Sequence, residues 1–239
     1  MELHDLLKWR LLKGSHKFPG PDGGTCINEA ALVVAGFKYR EVRKIDDLPK
    51  CFSRPISAYA LALNDRMSDE LRQELLTPFV VRLAGTADTE AIERQRADLI
   101  AVHTVRDILP IVLRLHRLED YALICDRVET RVEAHAAANK ACDALRAAAA
   151  DAAAAAYAAA YAAAYAAADA ADAADAAYAA AYAAADAADA ADAADARKVW
   201  TTATIILDAA LKIGRQAEPI ETALIIARAE KAKREFVSA

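Results

Sequence analysis

Glycine and proline are scarce in this chain. There are seven of each in 239 residues, with no glycine between Gly85 and Gly214 and no proline between Pro110 and Pro219. A sandwich or barrel of short strands needs turn residues at close intervals, so these gaps exclude an all-β fold. Only four cysteines occur, without paired local spacing, which argues against a disulfide framework and for a reducing cytoplasm. The first residues, Met1-Glu2-Leu3-His4-Asp5, lack the basic-then-apolar pattern of a secretory signal. No apolar run suits a bilayer, because the one long candidate is alanine interrupted by aspartates. A basic excess is missing as well: residues 1–146 carry 22 bases and 22 acids, so no stripe awaits phosphates and nucleic-acid binding is not expected. Phosphate loops, dinucleotide fingerprints and paired-carboxylate motifs do not occur. These absences leave a cytoplasmic helical protein with no expected cofactor and no membrane partner.

The 56% apolar fraction and the net charge of −5 both trace to one tract. Between Ala147 and Ala196 the chain holds 37 Ala, 8 Asp and 5 Tyr and nothing else, whereas residues 197–239 hold 8 bases and 5 acids. Within the tract, Tyr161–Ala177 reads YAAAYAAADAADAADAA, and Tyr178–Ala194 repeats those 17 letters unchanged. At 100° per residue the Tyr and Asp of one unit share an arc of about 120°, and methyl groups cover the remaining surface. Alanine favours helix strongly. Fifty unbroken helical residues would span about 75 Å, against a radius of gyration of roughly 18 Å for a compact chain of this length. The helix must project as a rod or fold back. The Asp-Ala-Ala-Asp runs at Asp169–Asp175 and Asp186–Asp195 are the expected breaks, since Asp is the weakest helix former present and a good N-cap. Folding back is favoured, because small residues let helices approach closely and a bare alanine face in water gains no packing. The Tyr/Asp arc is then expected to face outward.

Elsewhere the pattern is also helical. Leu3, Leu6, Leu7 and Leu11 suggest a first helix to Lys13, stopped by Gly14, and a Gly/Pro-rich loop follows to Gly24. Thr25 or Cys26 caps a helix ending near Gly36, with Glu29 placed to complete the cap. Arg54-Pro55 opens another helix, and Asn64-Asp65 lies near its end. Ser68-Asp69-Glu70 starts the next, which Pro78 should kink before Gly85. Pro110 should bend or break the helix that follows Asp88. Val199 to Leu211 forms an apolar stripe closed by Gly214, and Pro219 opens a last amphipathic helix with a basic end. The expected fold is all-α: an N-terminal helical unit (1–128), an alanine-rich repeat region (129–196) packed as a bundle or solenoid, and a C-terminal helical pair (197–239).

Two sets of residues could carry function. Cys26 at a helix start, with His16 upstream and His103 or His116 as further bases, has the types needed for thiol chemistry. His16, Cys26 and Cys51 could alternatively ligate a metal, although their spacing matches no established finger. The bland reading makes Cys26 a small buried residue at a tight junction. The second set is the arc of the tract: Tyr157, Tyr161, Tyr165, Asp169, Asp172, Asp175, Tyr178, Tyr182, Asp186 and Asp189. Its aspartates keep an alanine-rich helix soluble, and its tyrosines suit an interface.

Gly14-Ser15-His16, Gly24-Thr25-Cys26-Ile27-Asn28-Glu29-Ala30, Cys51-Phe52-Ser53-Arg54-Pro55-Ile56, Asn64-Asp65 and Arg82-Leu83-Ala84-Gly85-Thr86 together resemble motifs of a group of uncharacterised bacterial proteins. Those proteins share the plan of an N-terminal helical unit followed by an alanine-rich segment. The resemblance implies no activity. A looser similarity, in composition alone, is to alanine-rich helical domains described as immunity proteins. The functional expectation is therefore a non-enzymatic helical scaffold or protein-binding module, in one version immunity- or anti-defence-like. It would engage a protein partner or self-associate through its alanine-rich helices. The alternative is a thiol-dependent enzyme or metal-binding module centred on His16, Cys26 and Cys51.

Overall fold

The computed structural model describes residues 9–16, 24–147, 154–167, 173–191 and 193–237. The fold is all-α. Two very short strands, β1 (Arg10–Leu11) and β2 (Gly24–Thr25), pair in parallel ahead of the first described helix, α1 (Ile27–Val34). Then come α2 (Arg54–Arg66), α3 (Asp69–Leu76), a 3-10 segment (Thr77–Arg82), α4 (Glu90–His103), α5 (Leu109–Leu115) and α6 (Glu119–Cys125). The remainder is α7 (Arg131–Ala147), α8 (Ala154–Ala167), α9 (Ala173–Asp189), α10 (Ala193–Leu211) and α11 (Thr222–Val237). No helix among the described residues is long and apolar enough to cross a membrane.

The first departure from expectation is at Arg10–Leu11, which is strand where leucine spacing suggested helix. Distant side chains hold it extended: Gln73 Oε1 accepts from the Leu11 N–H at 2.8 Å, and Arg72 donates to the Leu11 carbonyl. The same buried Arg72 donates to the carbonyls of Asn64 and Met67 at the C-terminal end of α2, which would otherwise be orphaned there. The prolines act locally as expected. Pro78 sits in the first turn of the 3-10 segment, so α3 stops at Leu76. Pro110 cannot donate to the carbonyl four residues back, and the backbone widens into a π turn over Thr104–Ile108, with the Leu109 N–H reaching the Thr104 carbonyl.

The tract folds back. α8 and α9 lie side by side, and α8 also packs on α7. A turn at Ala190–Ala191, inside the second Asp-Ala-Ala-Asp run, separates α9 from α10. The first run lies largely outside the described residues. α9 is the centre of the molecule, contacting α2, α4, α8 and α10, and its alanines at 174, 176, 177, 180, 181, 183, 184, 185, 187 and 188 are all buried. Each methyl contributes little alone. Together they let the neighbouring helices approach to the short end of the interaxial range, where many dispersion contacts add up. One hydrophobic cluster runs through all three sequence segments, from Trp9 through Ala181 to Ala229.

Candidate functional site

Three of the N-terminal motifs, Gly14–His16, Gly24–Ala30 and Asn64-Asp65, converge on one polar junction between Leu12–His16, the start of α1 and the end of α2. Cys26 is the N-cap of α1: its Sγ accepts from the Glu29 N–H at 3.4 Å, and Glu29 Oε2 accepts from the Cys26 N–H at 3.0 Å. Glu29 Oε1 also accepts from the backbone of His16 (3.3 Å) and Val42 (3.1 Å), so one carboxylate holds three chain segments. On the facing helix, Asn64 Oδ1 accepts from the Ile27 N–H, and Asn64 Nδ2 donates to the Leu12 carbonyl. Asp65 Oδ1 accepts from the Gly14 N–H at 2.9 Å.

The electrostatics of this junction oppose a nucleophilic thiol. Cys26 is fully buried. Loss of solvent, with the neighbouring Glu29 charge second, pushes its thiol well above the ordinary range, the reverse of what an attacking thiolate needs. Burial also raises the Glu29 carboxyl, and the N–H bonds from Cys26, Val42 and His16 pull it partly back. His16 is tied by its ring Nε2 to the Lys13 carbonyl at 3.0 Å. The geometry gives Cys26 a capping role.

Cys51 belongs to a different place. Its carbonyl accepts from the Ala87 N–H, and it lines an open cleft of about 410 Å³ with Lys50, Gly85, Asp88, Thr89 and Arg215. Beneath that cleft the fully buried Arg96 guanidinium donates to the carbonyls of Thr86 (2.6 Å), Ile213 (2.7 Å) and Arg215 (2.8 Å), clasping the α10–α11 connection to the start of α4. Among the described residues no group of three or more His, Cys, Asp or Glu is arranged to hold a metal ion. His103 bonds Asp107 at 2.7 Å on the π turn, and His116 closes α5.

The tract's arc divides between two environments. On α8, Tyr161 and Tyr165 are 62% and 57% exposed, while Ala156, Ala159, Ala160, Ala163, Ala164 and Ala166 are buried. On α9, the rings of Tyr178 and Tyr182 meet at a 40° tilt with centroids 4.8 Å apart and hydroxyls 2.9 Å apart. Arg66, from the end of α2, lies over the Tyr182 ring at 4.8 Å and pairs with Asp186 at 3.0 Å. Burial raises the Asp186 carboxyl, with Arg66 opposing. Tyr182 and Asp186 thus face a neighbouring helix rather than open solvent, whereas Asp175 and Asp189 are exposed. Asp169, Asp172 and the side chain of Tyr157 lie outside the described residues.

Arg66, Arg72 and Arg96 were not marked by any sequence motif, and the Asn64-Asp65 motif did not show which groups Asn64 bonds. A polar residue inside the apolar run of α2 was the one available sign, at Asn64. No family model, curated protein or solved structure matches the chain.

Proposed function

We propose that this chain is a non-enzymatic, cytoplasmic protein-binding module. The alanine-rich tract serves as the packing scaffold, and the outer face of α8 contacts the partner. One observation supports this reading above the others. Two tyrosines one helical turn apart stand well exposed on a helix whose opposite face is fully used in packing. Tyrosine supplies large, rigid contact area and is enriched at interfaces. Three of the four thiols are buried and all four are free, in keeping with a reducing compartment. Membership in the group of bacterial proteins sharing the N-terminal motifs is part of the same proposal. An immunity or anti-defence role is its specific form when the partner is a toxin or defence protein.

Deleting the repeats is a poor test, because Tyr178–Ala194 includes most of the central helix. The point variant Tyr161→Ala/Tyr165→Ala removes the surface and leaves helix-forming residues behind. A pull-down from the native host with the parent chain should enrich a defined protein, or a second copy of the chain, and the double variant should lose it. Equal capture by both, or by neither, sinks the proposal.

A further inference from the structure

The last helix sits on the molecule as a ligand sits in a groove. α11 has one principal neighbour, α1. Its inward residues fall at i, i+3, i+4 and i+7: Ile225 and Ala229 are buried, and Arg228 and Ala232 are half-buried. That spacing is the anchor pattern of an amphipathic helix recognised in a groove. On the opposite side Ala223, Ala227 and Glu230 are exposed. One contact is specific. At the C-terminal end of α1 the carbonyls of Ala31, Leu32 and Val33 accept from the N–H groups of Ala35, Phe37 and Gly36. The Val34 carbonyl accepts instead from Arg228 Nη1 of α11, at 2.6 Å. Gly36 leaves room for that guanidinium, since a Cβ there would stand 3.0 Å from Arg228 Nε. α11 thus completes a helix end that would otherwise keep an orphan carbonyl.

The tether is fastened well before α11 begins. Arg96 holds the carbonyls of Ile213 and Arg215, and the Arg215 N–H donates to Asp88. Beyond that clasp Gln216–Glu221 runs to α11 without a turn or bend, with Gln216, Glu218, Pro219 and Glu221 exposed. Six residues reach about 20 Å at most. We propose that the face of α1 beneath α11 is a helix-binding groove, filled within the chain by its own α11 and between chains by α11 of a second copy, so that two chains pair by exchanging their last helices. The second copy is the occupant the contacts select, because it brings the same anchors, the same arginine and the same tether. Within one chain the tether holds α11 at an effective concentration of about 1 mM, so the parent is a monomer at micromolar protein. Shortening the tether removes that advantage and leaves the groove to the neighbour's helix. This surface is separate from the outer face of α8 and does not depend on partner binding there.

Two measurements on the full chain test the proposal. A peptide of residues 221–237 is titrated into the parent and into Ile225→Asp/Ala229→Asp, whose own α11 no longer docks. The double variant is expected to bind the peptide at least about tenfold more tightly than the parent does. A peptide carrying Arg228→Ala should bind it about tenfold more weakly than the unaltered peptide. In sedimentation at micromolar concentration the parent should be a monomer, and a chain lacking Gln216–Glu218, with about 10 Å less reach, should be a dimer. Adding Ile225→Asp/Ala229→Asp to the shortened chain should return it to a monomer. Equal peptide binding by parent and double variant overturns the proposal. So does a shortened chain that stays monomeric, or a dimer that survives the added aspartates. Circular dichroism of the double variant should lose no more than the signal of one helix; loss of the whole helical signal would make α11 part of the core and overturn the proposal too.

Discussion

Replacing Ala181 with leucine places three additional carbons in the middle of α9, at a methyl that has no solvent exposure. α9 is surrounded by α2, α4, α8 and α10, so the larger side chain has no open direction at that position. Adding methylenes to a well-packed core costs about 1–3 kcal/mol and occasionally more. Close helix approach across alanines leaves little slack, which places this substitution at about 3 kcal/mol. In a chain of this size about 1 kcal/mol lowers Tm by roughly 2–4 °C, so a fall of about 6–12 °C is expected. Tyr165→Leu introduces the same residue on the exposed side of α8 and should move Tm by under about 2 °C. Scanning calorimetry of the three proteins makes the comparison. An Ala181→Leu transition within about 2 °C of the parent's would refute the argument that α9 is close-packed on its alanine faces.

Thiol labelling of the folded protein should modify Cys51 first. Cys26 is buried with its thiol raised, and burial pushes Cys125 to about 12 and Cys142 to about 11. Labelling of Cys26 ahead of Cys51, read by mass spectrometry, would restore the thiol-enzyme reading. Gly214 has φ +64°, and a Cβ there would stand 2.5 Å from the Ile92 side chain and 2.7 Å from an Asp88 carboxylate oxygen. Gly214→Ala should therefore cost about 1–3 kcal/mol in denaturant unfolding, and a neutral result contradicts the tight clasp. Glu29 supplies a pH test. Its folded carboxyl is raised, so the folded state keeps a proton that the unfolded chain releases first; the stability due to that proton is full below the unfolded pKa and is lost as pH rises through the folded one. The unfolding free energy of the parent minus that of Glu29→Gln should fall as pH rises past the ordinary glutamate range. A difference that rises with pH reverses the assignment.

Much of the architecture was legible in the residues because it depends on local chemistry. The lack of Gly and Pro from Pro110 to Gly214 gave long helices, Cys26 and Glu29 closed a cap three residues apart, and the Asp-rich run before α10 turned as expected. What could not be read depends on distant partners. Arg10–Leu11 is strand because Arg72 and Gln73, more than sixty positions away, take its polar groups. Asn64, which the sequence places only near a helix end, binds Ile27 and Leu12, 37 and 52 positions away. The two 17-residue units are indistinguishable by letter. Only the fold decides that Tyr182 meets Arg66 while Tyr165 faces outward.

The alanine repeat is the core of the molecule and not an appendage. Native-state hydrogen exchange reads this residue by residue. Buried core helices exchange through global unfolding, whereas an exposed helix opens locally at much lower free energy. The amides of Ala176–Ala188 are expected to rank with those of Ile56–Leu63 among the slowest in the protein. Exchange of that stretch faster than the α2 amides, at a rate independent of global stability, would contradict it.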